Sequence, residues 1–120
     1  MDITSVIEAL TALAQPTRLK TFRRLLNAHP NRIAAGAIAR ACDVPHNTMS
    51  AHLAVLARAG LIVAQREGRM MYYGANLDGF RALLGFLMQD CCGGRSEICA
   101  PLVSKLRGSA PTTKREKIHV

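Results

Sequence analysis

Three of the chain's four cysteines fall within nine consecutive residues, in the segment DCCGGRSEIC at positions 90–99. Cys91 and Cys92 are adjacent, and Cys99 follows after six residues that include two glycines. Because glycine can end a helix and let the chain fold back, Cys99 can approach the adjacent pair. Thiols at this spacing can form a disulfide, bind a soft metal or metalloid, or have no chemical role.

The ligand chemistry of these thiols narrows the choice of ion. Three thiolates with no obvious fourth ligand do not suit structural zinc, which prefers four ligands in a tetrahedron. They suit a soft ion that forms three bonds and keeps a lone pair, because soft thiolates select soft partners. The sequence therefore favours a site for As(III) or Sb(III) formed by Cys91, Cys92 and Cys99.

Other uses of the cysteines stay open. A disulfide from Cys91 or Cys92 to Cys99 is geometrically plausible, so a thiol-redox sensor is the main alternative. Cadmium or lead with mixed thiolates is another, and an organic arsenical could bind to Cys91 and Cys92 alone. The fourth cysteine, Cys42, lies on the apolar side of a short helical segment and is interpreted as a small core residue.

Length and charge place the chain among small basic proteins. Its 120 residues are enough for one domain with a modest core. The formal net charge is +8, and residues 105–120 contribute five basic residues and one acidic residue. The rest of the chain is also basic overall, which favours a nucleic-acid partner, although an acidic protein or a membrane surface would also fit.

The N-terminal sequence indicates the compartment. MDITSVIEAL has no basic region of the kind that begins a signal peptide. No apolar run approaches the roughly 20 residues that span a bilayer. We therefore expect a cytoplasmic protein with no membrane partner, in a compartment where thiols stay reduced.

Apolar periodicity predicts two helices before residue 30. The first lies within residues 3–14, and the second follows the break QPT at residues 15–17 and ends near His29 and Pro30. Proline suits the first turn of the second helix, where its missing N–H is not needed. The apolar stripes are Ile3, Val6, Ile7, Leu10 and Leu13 in the first helix, and Leu19, Phe22, Leu25 and Leu26 in the second.

Two further helical segments have the spacing of a helix-turn-helix. The first covers residues 35–42, the residues 43–45 form the break, and the second runs from Pro45 or His46 to Ala59. Gly60 is expected to form a left-handed C-terminal cap. The second segment is apolar at Met49, Leu53, Leu56 and Ala57, and its other face is polar, small and nearly uncharged.

The chain then changes period. Residues 61–66 and 70–75, joined at 67–69, predict a β-hairpin, and residues 77–90 predict a last helix. The last helix is so apolar that it must be covered on more than one side, so we expect a homodimer in which it pairs with the first helix. The predicted interface residues are Ile3, Val6, Leu10, Leu83, Leu84 and Leu87.

The predicted fold is mainly α with a small β-hairpin: four helices, the hairpin and a fifth helix. The folded domain is expected at residues 1–106, with the cysteine site at about 90–100, and residues 107–120 are expected to be a disordered basic tail.

In a helix-turn-helix, the second helix enters the major groove of DNA with its N-terminal side chains toward the base edges. The candidates for contact there are His46, Asn47, Thr48, Ser50, Ala51 and His52. Arg66 and Arg69 flank the hairpin turn and could contact phosphate or the minor groove. Each residue alone could equally be a helix cap, an ordinary histidine or a solvated arginine. The order of elements together with the positive charge favours DNA binding.

Two segments, QPTRLKTFRRLL and PHNTMSAHLAVLARAGLIVAQREGRMMYY, resemble the ArsR/SmtB family of winged-helix repressors. The resemblance covers about residues 5–92, and MSAHLAVLARAGLI is its most specific part. It implies a winged helix-turn-helix dimer that pairs through its first and last helices and binds a palindromic operator. It also implies that a metal or metalloid lowers DNA affinity and releases transcription.

The resemblance also helps to choose the effector. A Cys-x-Cys site of the family in the third helix would match Ala34 and Gly36, so that site is absent. A zinc site of the family on the last helix is absent as well, because LDGFRALLGFLMQD has no histidine. Arsenite-responsive members with C-terminal cysteines are similar to the arrangement of Cys91, Cys92 and Cys99.

Two other classes of function fit less well. A thiol enzyme would need a Cys-x-x-Cys motif in a βαβ unit, and a phosphate-binding enzyme would need a Gly-rich loop; neither pattern is present, so we expect no enzyme. A DNA-compacting protein would bind all sequences alike, whereas a repressor should prefer one palindrome by roughly 10³-fold or more.

Overall fold

The computed structural model describes residues 1–90, and for residues 89 and 90 it describes the backbone only. These residues belong to two units, Met1–Leu83 and a second that begins at Leu84. The elements are α1 (Ile3–Leu13), α2 (Pro16–Ala28), β1 (Ile33–Ala34), α3 (Ala35–Cys42), α4 (His46–Arg58), β2 (Ile62–Glu67), β3 (Met70–Ala75), α5 (Leu77–Gly85) and a π-helical segment (Phe86–Asp90).

The first two helices begin at side-chain caps. Asp2 accepts a hydrogen bond of 2.9 Å from the backbone N–H of Ser5, and Gln15 accepts one of 2.8 Å from the backbone N–H of Arg18. Pro16 occupies the first turn of α2. These caps satisfy N–H groups that have no partner within the helix, so both helices begin at the predicted breaks.

The turn between α3 and α4 depends on one left-handed residue. Asp43 has φ 57°, and the backbone N–H groups of Asp43 and Val44 bond to the carbonyls of Arg40 and Ala39. Pro45 then precedes α4, which ends before Gly60. Gly60 has φ 81°, so the predicted left-handed cap is confirmed.

The hairpin forms as predicted, and a short third strand joins it. β2 and β3 are antiparallel, with Ile62 opposite Ala75 and Glu67 opposite Met70, and Gly68 has φ 64° in the turn. β1 pairs with the other edge of β3, so the strand order is β1-β3-β2. The sequence analysis missed β1 because its two residues are too few to show an alternating pattern.

The core of the first unit lies between the helices. Its fully buried large side chains are Leu25, Ile38, Met49, Leu53, Leu56, Leu61 and Thr21. Phe22 of α2 and Phe80 of α5 meet edge to face with ring centroids 5.3 Å apart. The apolar faces predicted for α2 and α4 therefore pack together and fix the direction of the second helix of the helix-turn-helix.

Two predictions about the last helix and the interface need correction. The predicted helix over residues 77–90 is α-helical only to Gly85 and π-helical from Phe86. Val6 and Leu83 are only 3% and 2% exposed in the single chain, so they belong to its own core and offer almost no surface to a partner. Among residues 1–90, no helix has the length and apolarity needed to cross a membrane.

Candidate nucleic-acid interface

The first two turns of α4 present five exposed side chains. They are His46, Asn47, Thr48, Ser50 and Ala51, all of them predicted contact residues. The opposite side of the helix is anchored by Met49, Leu53 and Leu56, each 0% exposed. The exposed face is therefore rigidly supported, and its side chains are small and polar.

The start of α4 is electrostatically suited to an anion. Pro45 precedes the helix and supplies no side-chain cap, and the first turn contains no acidic residue. The N–H groups of a first helical turn have no intrahelical partners and carry the positive end of the helix dipole. A phosphate group placed here would find donors and a favourable field.

Arg40 of α3 adds a cation beside this first turn. A Cβ built on Gly36 would lie 3.5 Å from Arg40 Nη1 and 3.9 Å from His46 Cδ2. The guanidinium and the imidazole therefore both approach Gly36, although they belong to different helices. Arg40 was not among the predicted contact residues, because its place next to the start of α4 depends on how α3 and α4 cross.

His52 does not belong to the exposed face. Its ring is half-buried, and its Nδ1 lies 3.3 Å from Nη1 of Arg18 on α2. Burial and the neighbouring Arg18 cation both lower the pKa of His52, burial having the larger effect. Since a guanidinium can only donate, Nδ1 must be the acceptor. His52 thus lies at the edge of the exposed face, on the side of α4 that meets α2, and its contact with DNA stays a prediction.

Arg18 joins three helices. Its Nε donates a hydrogen bond of 2.7 Å to the carbonyl oxygen of Ala12 in the last turn of α1, while its Nη1 reaches His52 of α4. Arg18 was not predicted as a functional residue. The one feature of the sequence that could have indicated it is its position directly after the QPT break, which brings it close to the end of α1.

Three arginines lie at the small sheet, two on the hairpin and one just before β1. Arg66 and Arg69 flank the turn and are exposed, as predicted, although Glu67 lies between them in sequence. Arg32, just before β1, donates from Nη1 to Oε1 of Gln65 on β2. It crosses β3 at Gly74, where an added Cβ would lie 3.0 Å from Arg32 Cγ. Arg32 was not predicted, because its position beside the hairpin depends on the pairing of β1 with β3.

The predicted metalloid ligands Cys91, Cys92 and Cys99 lie outside the described residues, as does the predicted tail at 107–120. Cys42 is a free, half-buried thiol whose Sγ is 3.6 Å from Oγ1 of Thr21, in keeping with a packing role. Within the described part of the chain, no group of three or more His, Cys, Asp and Glu side chains is placed to hold a metal ion.

Comparisons with known proteins agree with this geometry. A family model for a helix-turn-helix domain matches residues 13–65, which include α2 to α4 and most of β2. The search among curated proteins found no significant match.

Several solved structures share the fold. A crystal structure of residues 1–100 of a possible transcriptional regulatory protein from Mycobacterium bovis is 32% identical, with a TM-score of 0.58, over 76% of this chain and 94% of that one. A solution structure of the same fragment, reported as the homodimeric winged helix-turn-helix DNA-binding domain of a possible ArsR-family regulator, is 24% identical, with a TM-score of 0.61, over 94% and 90%.

An ArsR-like transcriptional regulator from Rhodococcus sp. RHA1 has the same fold, with a TM-score of 0.64 at 19% identity over 91% of this chain and 96% of that one. At that identity it supports the fold alone. The Mycobacterium bovis regulator, in contrast, is similar enough in sequence over nearly its whole fragment to define the family. This chain therefore belongs to the ArsR family of winged helix-turn-helix transcriptional regulators.

Proposed function

We propose that this protein is a homodimeric transcriptional repressor that binds a palindromic operator and releases it when As(III) or Sb(III) binds. The observation that carries the DNA-binding part is the exposed, acid-free face at the start of α4, held in place by a fully buried opposite side. A repressor acts where its DNA is, which implies a cytoplasmic protein, and this function needs no catalytic site.

The chemistry of the α4 face fits the major groove. The amide of Asn47 can pair with the edge of an adenine, and the hydroxyls of Thr48 and Ser50 can bond to bases or phosphates. Ala51 leaves room for the backbone to approach. His46 and Arg40 lie beside the start of the helix and can hold a phosphate, which would fix the register of the helix in the groove.

Arg66 and Arg69 extend the proposed interface. They lie at the turn end of the β2–β3 hairpin, whose two strands are six residues long each. Cations in this position can contact phosphate or enter the minor groove. They would contribute affinity for any sequence, whereas the α4 face would select the operator.

An exposed apolar stripe on α1 supports the homodimer. Ile3, Ile7 and Leu10 are 64%, 58% and 41% exposed in the single chain, and their spacing of four and three places them on one side of the helix. Apolar side chains of this size, grouped on one helix, are typical of a surface that another chain covers. The homodimeric state reported for the Mycobacterium bovis domain points the same way.

The proposed interface keeps part of the predicted set. Ile3 and Leu10 stay in it, Ile7 joins them, and Leu84 is also exposed, at 40%. Leu87 is half-buried and makes contacts within its own chain, so it is a weaker candidate.

The effector is proposed from the donor atoms in the sequence. Cys91, Cys92 and Cys99 come after the segment Phe86–Asp90 in the sequence, and three soft thiolates match the three-bond preference of As(III) and Sb(III). Ligation of three residues within so short a span would constrain the chain that follows Asp90 in the sequence. A change there would alter the separation of the two α4 helices, which must lie about one duplex turn (34–36 Å) apart to bind both half-sites.

The coupling between the two sites has a definite sign. If metalloid weakens operator binding by about 5–150-fold, which corresponds to a coupling of about 1–3 kcal/mol, DNA must weaken metalloid binding by the same factor. This reciprocity holds whether or not the metalloid contacts the DNA.

A gel-shift titration under reducing conditions tests the proposal. The wild-type protein should retard a DNA fragment that contains the palindrome and should release it with arsenite or antimonite. The variant with Cys91, Cys92 and Cys99 all changed to serine should bind the DNA equally well and ignore both. Release by peroxide alone would indicate the redox alternative, and release by cadmium or lead alone would indicate a soft-metal sensor.

A further inference from the structure

Arg18 occupies a position that the DNA-binding and interface surfaces do not explain. Its side chain is half-buried between helices rather than directed to solvent. Its two hydrogen bonds reach the carbonyl oxygen of Ala12 in α1, at 2.7 Å, and Nδ1 of His52 in α4, at 3.3 Å. Both acceptors are neutral groups, a backbone carbonyl and an imidazole nitrogen.

The first of these bonds serves the end of α1. The last carbonyl groups of a helix have no intrahelical partner and carry the negative end of the helix dipole. The backbone N–H of Ala14 satisfies the carbonyl of Thr11, and the Arg18 guanidinium satisfies the next carbonyl, that of Ala12. A cation is favoured at this place, and its bond fixes where α1 ends relative to α2.

The second bond holds the flank of α4. His52 lies directly after the exposed residues Ser50 and Ala51 and directly before Leu53, which is 0% exposed. Because His52 accepts through Nδ1, its ring can be held by Arg18 only while it is neutral. The guanidinium is planar and offers several N–H groups in fixed directions, so one side chain can hold both acceptors at once.

We propose that Arg18 is a positioning residue that ties the orientation of α4 to the end of α1, through its bonds to Ala12 and His52. The inference rests on the proposed function, in which α1 carries subunit contacts and α4 contacts the operator. Arg18 then sets the angle between the two surfaces within each subunit. In the dimer that angle determines whether both α4 helices fit one palindrome.

The test separates positioning from simple loss of stability. Arg18→Gln removes both charged bonds, and His52→Leu removes the acceptor on α4 while keeping the volume. His52→Asn restores an acceptor close to the place of Nδ1. Arg24→Gln is the matched control, since Arg24 is an exposed arginine on the same helix. Fluorescence anisotropy measures the affinity of each folded variant for the full palindrome and for a single half-site.

We expect Arg18→Gln and His52→Leu each to weaken binding to the palindrome by about 2- to 30-fold, the range found for residues that couple distant sites. Half-site binding should change less than twofold, since one α4 helix needs no defined angle to its partner. The double variant should lose no more than the worse single variant, and His52→Asn should recover most of the affinity.

Equal losses on palindrome and half-site, or additive losses in the double variant, would overturn the inference and leave Arg18 as a stabilising residue only. Palindrome binding within twofold of wild type in Arg18→Gln would also overturn it. If the wild-type protein prefers no palindrome at all, the proposed function fails, and the inference fails with it. That result differs from the others because it appears before any substitution is made.

Discussion

The side-chain amide of Asn76 donates a hydrogen bond of 2.9 Å to the carbonyl oxygen of Gly60, so the start of α5 is tied to the residue that ends α4. The same side chain caps α5, because its Oδ1 accepts from the backbone N–H of Gly79 at 3.3 Å. The backbone N–H of Asn76 bonds to the carbonyl of Leu61 at 2.9 Å. The C-terminal end of the proposed DNA-reading helix is thereby fixed to the start of α5.

This junction predicts that Gly79→Ala is destabilising. A Cβ at position 79 would overlap the carbonyl oxygen of Gly60 and would lie 3.2 Å from Nδ2 of Asn76. Because backbone would have to move, we expect a loss of about 1–3 kcal/mol in the free energy of unfolding, measured by urea denaturation. Gly36→Ala is the control, since its Cβ would make only ordinary contacts with the side chains of Arg40 and His46, and it should stabilise the protein by about 0.5–1 kcal/mol. A Gly79→Ala variant as stable as wild type would show that the junction is looser than described.

The His52 ring predicts a pH dependence of stability. Its pKa is lowered in the folded state, by burial first and by Arg18 second, from an unfolded value of 6.5. In the interval below pH 6.5 the unfolded chain therefore binds more protons at this site than the folded one, so stability falls as the pH falls. The contribution is complete above pH 6.5 and is lost as the pH drops through the folded pKa. Denaturation curves from pH 7.5 to pH 5 should show this decline.

The matched variant for this measurement is His52→Asn, which keeps an acceptor but does not titrate. Its free energy of unfolding should decline less than that of wild type over the same interval. Identical profiles for wild type and His52→Asn would mean that the Arg18–His52 contact does not depend on protonation.

The hairpin arginines predict a change in the salt dependence of DNA binding. If Arg66 and Arg69 each neutralise one phosphate, the double change to glutamine should reduce the slope of log Kobs against log salt concentration by about 1.8, since each phosphate contact contributes about 0.9. Affinity should fall for operator and non-operator DNA alike. An unchanged slope would place the hairpin away from the DNA.

The exposed amide of Asn47 predicts a different effect. Asn47→Ala should lower the preference for operator over non-operator DNA and should keep the slope of log Kobs against log salt concentration.

The exposed stripe on α1 predicts that a charge there separates the subunits. Ile7→Glu places a carboxylate at a residue that is 58% exposed in the single chain, so the isolated chain should still fold. In a dimer the charge would be buried without a partner, which is strongly unfavourable. Sedimentation should show a monomer, and operator affinity should drop sharply. Thr4→Glu, at an exposed polar position of the same helix, should remain dimeric if the apolar stripe alone forms the contact.

Single cysteine variants measure how many thiolates the effector needs. In the three-thiolate model, Cys99→Ser should lower the response to arsenite by a large factor, as should Cys91→Ser and Cys92→Ser. Cys42→Ser should respond like wild type, because its half-buried thiol packs near Thr21. A Cys99→Ser protein with a normal response to arsenite would instead assign the site to Cys91 and Cys92 alone.

Local sequence patterns were enough to predict the order of the elements and most of their ends. Pro16 and Gly60 act through backbone preferences that need no distant partner, so α2 begins and α4 ends where these residues predict. The exposed face of α4 was also predictable, because apolar residues at Met49, Leu53 and Leu56 leave the other side of the helix to solvent. The cysteine cluster, likewise, is visible in the sequence alone.

The contacts that orient those elements were decided only by the tertiary structure. His52 and Val6 lie at the edges of predicted surfaces, and periodicity cannot tell which neighbouring helix covers such an edge. Arg18 reaches a histidine 34 residues away, and β1 exists only because β3 offers it a free edge. Helical and strand patterns reflect interactions between near neighbours in the chain, whereas the angle between helices depends on side chains that meet only after the chain has folded.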